Sequence, residues 1–106
     1  MLESEFERVA GAALANLERA LETCGVDLDL EVKGDGVLEV EFRNGSKIIL
    51  NRHSAARQIW VAAKSGGFHF RWDGQAWLDT RCAEALPVLV SRLVSEQSGQ
   101  QVILTI

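Results

Sequence analysis

Near the start of the chain apolar residues recur every three or four positions, at Phe6, Ala10, Ala13, Leu14, Leu17, Leu21 and Cys24. This spacing predicts an amphipathic helix that buries one stripe. Ser4 and Glu7 have the spacing of a capping box, which places the helix start at Ser4, and Gly25 is positioned to end it after about Cys24. From there the period changes to two. Leu28, Leu30 and Val32 alternate with Asp27, Asp29 and Glu31, and Leu38, Val40 and Phe42 alternate with Glu39 and Glu41. Ile48 and Leu50 share one parity, as do Ile59 and Val61 in the next run and Phe68, Phe70 and Trp72 in the one after. Side chains alternate across a strand, so each series predicts a strand with one oily face.

Glycine-rich punctuation separates these runs. Gly34-Asp35-Gly36 turns the chain, and Asn44-Gly45 predicts a two-residue type I′ hairpin, which needs positive φ at both central positions. Gly66-Gly67 reads as the break before Phe68, and Asp73-Gly74 as a hairpin turn into a short strand over 76–79. Pro87 suits only the first turn of a helix, so a second helix begins just before it and runs to about Gln97, ended by Ser98-Gly99. Its apolar face is Leu86, Leu89, Val90 and Leu93, and residues 102–106 alternate weakly as a last strand. Helix, strands, helix, strand predicts an α+β fold, with two helices on one face of an antiparallel sheet. A chain of 106 residues is expected to form a single domain, 1–106.

Charge changes the picture in one place. Of the formal net charge of -4, residues 1–31 carry -6 (eight acids against Arg8 and Arg19) and the remaining 75 residues carry +2. An acidic end on a near-neutral body argues against nucleic acid and favours cations or a basic protein partner. Cys24 and Cys82 lie far apart with no metal-ligand spacing, which suits a reducing compartment. No apolar run approaches the roughly 18 residues of a membrane span, so a cytoplasmic protein off the membrane is expected.

On the first helix, Glu7, Glu18 and Glu22 fall within a narrow arc beside the buried stripe, with Glu3 in line. Glu18 and Glu22 repel at i, i+4 and oppose the helix dipole, so their position does not serve stability. Exposed oxygen donors of this kind suit iron, manganese, calcium or magnesium without strong selection. The competing reading is that they solubilise a helix edge and shield an edge strand. On the sheet, Asn51, Gln58 and Trp60 share the outward parity. Such an indole flanked by amides is either a strand-favouring aromatic under a loop or a protein-binding hot spot. His53 and His69 lack a second ligand at helical spacing, and His69 reads as an ordinary sheet-face residue; Trp72 by parity is core, with Trp77 beside it and its N–H satisfied. No nucleophile with a base, paired buried carboxylates or phosphate loop is found, so no catalytic residue is expected.

SEF at 4–6, GVLEVEF at 36–42, NGSKIILNR at 44–52, QIWVAAKSGGFHF at 58–70 and Trp77 after Asp73-Gly74 together resemble the bacterial frataxins, the CyaY branch, over essentially the whole chain. The resemblance implies a helix-sheet-helix sandwich that binds ferrous or ferric iron weakly. It implies a role in iron-sulfur cluster assembly with a cysteine desulfurase and the scaffold protein as partners, and a monomer in the absence of iron. Carried over by position, the acidic ridge maps to Glu3, Glu18, Glu22, Asp27, Asp29 and Glu31, with Glu7 on the same helix edge. The sheet signature maps to Asn51, Arg52, Gln58 and Trp60. Where bacterial relatives often crowd adjacent aspartates, Glu22 is followed here by Thr23, Cys24, Gly25 and Val26. The readings that remain are an iron-binding regulator or iron supplier, an acidic interaction module with incidental iron binding, and a weak iron oxidase.

Overall fold

The computed structural model describes residues 1–34 and 36–105. Its elements run α1 (Glu3–Glu22), β1 (Leu28–Lys33), β2 (Val37–Phe42), β3 (Lys47–His53), β4 (Gln58–Ala63), β5 (Gly66–Trp72), β6 (Trp77–Asp79) and α2 (Leu86–Ser98). The six strands pair in chain order, each antiparallel to the next. Alternation decides what each strand buries. Leu38, Val40, Ile48, Leu50, Ile59, Val61 and Phe70 are all at most 3% exposed and face the helices. From the helices, Phe6, Leu17 and Leu21 of α1 and Leu86, Leu89 and Leu93 of α2 close the same core. Each such side chain contributes about 1.5–3 kcal/mol on burial. Both helices lie on one face, which leaves the other face of the sheet to solvent.

Several local details depart from the sequence pattern. The first helix starts at Glu3 with Leu2 as its N-cap and no side-chain cap, so Ser4 and Glu7 form no capping box. It ends at Glu22, where the Thr23 hydroxyl donates back to the Arg19 carbonyl at 3.2 Å. At the β2-β3 hairpin only Gly45 takes a positive φ, 87°, while Asn44 does not. Gly45 N donates to Phe42 O and Phe42 N to Ser46 O, the pattern of a type I turn with a glycine bulge. Asn44 works through its side chain instead. Its Oδ1 accepts from Ser46 N at 2.9 Å, and its Nδ2 donates to the Gln97 carbonyl at 2.8 Å, at the end of α2.

Gln97 reinforces that junction from the other side. Buried at 8% exposure, it accepts from Lys64 N and donates to Ser46 Oγ and Lys47 O. Gly66 and Gly67 belong to β5, paired with Ala63 and Ala62, so the preceding turn is made by Lys64 and Ser65. The expected C-terminal strand does not form over the described residues 102–105, and Ile106 lies outside them. There the chain runs beside α2: Val102 N donates to Ser95 Oγ and Leu104 N to Ser91 Oγ, both at 2.9 Å. Trp77 is core, edge-on to Phe6 at 6.0 Å, but its Nε1 has no hydrogen-bond partner, contrary to the sequence expectation. Trp72 is half-buried against it at 5.5 Å. Val32, of inward parity, is 58% exposed because the helices do not cover the end of edge strand β1.

Candidate functional site

Two surfaces carry the candidate residues. The first is the acidic edge formed by α1 and β1. Glu3, Glu22, Asp27, Asp29 and Glu31 are exposed there and Glu18 is half-buried. Glu7 is held apart from them: its Oε2 sits 3.0 Å from Arg52 Nε, and its Oε1 accepts from Ser54 Oγ at 2.9 Å. Asp27 reaches Arg43 at 3.3 Å. Asp29 and Glu31 point to the outer face of the sheet, where the register sets them opposite Glu41 and Glu39. Like charges facing across strands are unfavourable, and two lysines relieve one of them. Lys33 and Lys47 each lie 2.8 Å from Glu39, one on either carboxylate oxygen.

Hydrogen bonds from Lys33 and then Lys47 hold the Glu39 carboxyl below its ordinary range, and the same hydrogen bonds raise both lysines. Asp27, Asp29 and Glu41 line one shallow depression with Arg43. Sequence reasoning placed Glu39 and Glu41 outward but left them out of the candidate set. The signal that joins them to it is strand register, which alternation alone does not provide. Among the described residues, no three His, Cys, Asp or Glu side chains converge as a metal-holding group. The acids thus offer single carboxylates and pairs along an edge, which is loose, oxygen-only chemistry.

The second surface is the outer face of β3, β4 and β5. Asn51 pairs with Trp60 and Trp60 with His69, so these three lie side by side across the strands. The Trp60 indole is stacked on both sides: His53 lies 3.9 Å away with planes 13° apart, and His69 4.6 Å away with planes 12° apart. Trp60 Nε1 donates to Gln58 Oε1 at 2.8 Å. His53 Nδ1 accepts from Ala56 N at 3.2 Å, which fixes its ring against the following turn. Asn51, Gln58 and Trp60 therefore share a surface, as their parity predicts. Arg52 does not join them. It pairs with Ile59, which is inward, and turns its guanidinium to Glu7 of α1, with its side chain only 15% exposed. One residue's shift along a strand reverses the face.

Among the described residues no helix is long and apolar enough to cross a membrane. The family model for the frataxin-like domain matches residues 1–100. A protein of Dechloromonas aromatica named iron-sulfur cluster assembly protein CyaY is 54% identical over 104 residues, 98% of this chain and 99% of that one. Its namesake in Cupriavidus pinatubonensis is 48% identical over 99 residues, 91% of this chain and 89% of its own. In shape, the chain is similar to a frataxin of Psychromonas ingrahamii, with a TM-score of 0.90, 30% identity and full coverage of both chains. Trimeric frataxin of the yeast Saccharomyces cerevisiae, complexed with ferrous iron, shares the fold at a TM-score of 0.66 and 23% identity over 91% of this chain and 87% of that one.

Proposed function

The chain belongs to the frataxin-like family, and from that premise we propose that it binds iron weakly and acts in iron-sulfur cluster assembly by docking on a cysteine desulfurase and its scaffold protein. The observation that carries this reading is the 54% identity, across nearly the whole of both chains, to a protein named for cluster assembly. The two surfaces support a division of labour. Glu3, Glu18, Glu22, Asp27, Asp29 and Glu31 line an edge where ferrous or ferric iron, or another divalent cation, can sit on one or two carboxylates at a time. The sheet face of Asn51, Gln58 and Trp60 offers a rigid aromatic among amides, the composition of a protein-binding hot spot. Arg52 and Glu7 support both surfaces from within rather than by contact.

In this reading the iron is cargo or signal, the protein is not an enzyme, and it works in the cytoplasm as a monomer in the absence of iron. The test is desulfurase-dependent cluster assembly with this protein added at several iron levels. An effect on the assembly rate that grows with iron is expected; no effect at any level ends the proposal. One observation favours a second reading. With no three metal-ligating side chains converging among the described residues, an acidic interaction module with incidental iron binding predicts a rate effect that is the same with and without iron. A weak iron oxidase would instead consume oxygen with ferrous iron in the absence of any partner.

A further inference from the structure

The outer sheet face presents its tryptophan in an unusual state. An exposed indole is ordinarily available over its ring face, where cations and other rings bind. In Trp60 both ring faces are taken, by His53 at 3.9 Å and His69 at 4.6 Å, each nearly parallel to the indole. The ring nitrogen is taken as well, by Gln58 Oε1. Three neighbouring strands supply the four residues of this column, β3 His53, β4 Trp60 with its acceptor Gln58, and β5 His69. None of the four residues is buried, so the column is not a piece of the core. Its outermost ring on the β3 side is itself pinned, because His53 Nδ1 accepts from Ala56 N.

We infer that His53 and His69 are positioning residues that clamp the Trp60 indole upright between them, so that a docking partner meets the hydrocarbon edge of the ring and not its face. This rests on the reading of the sheet face as the docking surface. The clamp acts in two ways. It removes rotamer freedom from Trp60 before the partner arrives, and ordering a side chain of this kind on binding otherwise weakens affinity by about two- to tenfold. It also selects the partner's chemistry. A cation cannot lie over a ring face already covered, so the complementary surface is an apolar slot that accepts the indole edge, with polar groups beside it for Asn51 and Gln58. Both roles need only flat rings at 53 and 69. The Ala56 amide, which is exposed, turns to water if the ring at 53 cannot accept from it.

The experiment compares the double variant His53→Ala with His69→Ala, the double variant His53→Phe with His69→Phe, and Trp60→Ala. The first measurement is ¹⁵N relaxation of the indole N–H of Trp60 in the free protein, with the Trp72 and Trp77 indoles as internal controls. The second is affinity for the cysteine desulfurase holoenzyme by calorimetry. The alanine pair should free the Trp60 indole without moving the Trp77 signal, and should weaken binding about two- to tenfold. The phenylalanine pair should restore both. An indole as ordered in the alanine pair as in the native protein means that there is no clamp. A freed indole with unchanged affinity, when Trp60→Ala has lost binding, overturns the positioning role. Failure of phenylalanine to restore affinity shows that the imidazoles touch the partner themselves, which also overturns it. If Trp60→Ala binds normally, the docking surface itself is misplaced, and the positioning role falls with it while relaxation still judges the clamp.

Discussion

Glu7 of α1 and Arg52 of β3 form a 3.0 Å ion pair that ties the helix layer to the sheet. The second carboxylate oxygen of Glu7 is taken by the Ser54 hydroxyl, so the acid has no oxygen left free of a partner. The pair is partly screened, at 15% exposure for the Arg52 side chain and 38% for that of Glu7. Its loss therefore falls between the values for surface and buried pairs. Glu7→Ala should cost about 1–2 kcal/mol in denaturant unfolding. Iron-induced NMR perturbations at Glu18 and Glu22 should persist in that variant and fade in Glu18→Gln with Glu22→Gln. A native-like melt, or an iron response lost with Glu7 alone, would return Glu7 to the metal edge.

The guanidinium of Arg52 also explains two glycines of opposite character. A Cβ on Gly11, inside α1, would meet Arg52 Nη1 at an ordinary 3.8 Å. Gly11→Ala should accordingly stabilise by about 0.5–1 kcal/mol, the usual helix gain. Gly36 has φ at 89°, and a Cβ there would lie 3.0 Å from Arg52 Nε and 3.1 Å from Arg52 Cβ. Gly36→Ala should destabilise by about 1–3 kcal/mol. Chemical denaturation of the two variants side by side checks both signs.

Trp60 and Trp77 separate docking from folding. Trp77 is 5% exposed against Phe6, so Trp77→Ala should cost about 3–5 kcal/mol. Trp60 lies outside the core, and Trp60→Ala should cost about 1 kcal/mol, the scale of an aromatic pair on a sheet face. Desulfurase affinity should fall by about 2 kcal/mol or more in the Trp60 variant, the mark of a hot spot. Thermal melts beside binding isotherms decide it, and a Trp60→Ala protein that melts early or binds normally contradicts the assignment. Trp72, half-buried, is expected to fall between the two.

What the sequence made legible follows the reach of each signal. Alternation is a property of single strands, and it correctly gave the inward set, the uncovered Val32 apart, and the outward Asn51, Gln58 and Trp60. Arg52 followed the same rule, yet position in a family signature drew it to the wrong face. Asn44-Gly45 marked a hairpin correctly but not its turn type: only Gly45 takes a positive φ, and the Asn44 side chain bonds to the end of α2, 53 residues away. The stacked column and the Asp29-Glu41 and Glu31-Glu39 pairs depend on register, a relation between strands that no single run of residues encodes. The capping box failed because the helix begins one residue earlier, with Leu2 as its N-cap, which puts Ser4 inside the first turn. The tail failed because Val102 and Leu104 pack beside α2, where alternation does not imply a strand.

Glu39 gives the protein a definite pH signature. Its carboxyl is held below the ordinary value by Lys33 and Lys47, so the stabilisation is present above the unfolded carboxylate pKa of about 4.3 and is lost as pH falls through the lower folded value. The two lysines are raised, so their share is present below about 10.4 and is lost as pH rises through their folded values. Glu39→Gln should melt below the native protein across the neutral range, with the gap closing under strong acid and strong alkali. Added salt should also narrow the gap, since both lysine side chains are about half exposed, at 52% and 46%. A gap that stays constant with pH would assign Glu39 a packing role.

The segment beside α2 sets where the molecule opens first. Residues 102–105 have no ladder of backbone hydrogen bonds; two amides rest on the Ser95 and Ser91 hydroxyls, and two apolar side chains, Val102 and Leu104, lie against the core. Both hydroxyls belong to α2, so these bonds tie the segment to that helix and not to a strand. Residues 102–105 are therefore expected to open at a lower free energy than global unfolding. In hydrogen exchange the amides of Val102 and Leu104 should lose protection well before those of Leu50 and Val61. Ser91→Ala should speed exchange at Leu104 by about 5- to 30-fold, equivalent to the 1–2 kcal/mol of one lost hydrogen bond at a buried site. Each opening would also uncover apolar surface that Val102 and Leu104 cover, which ties the exposure of α2 to this latch.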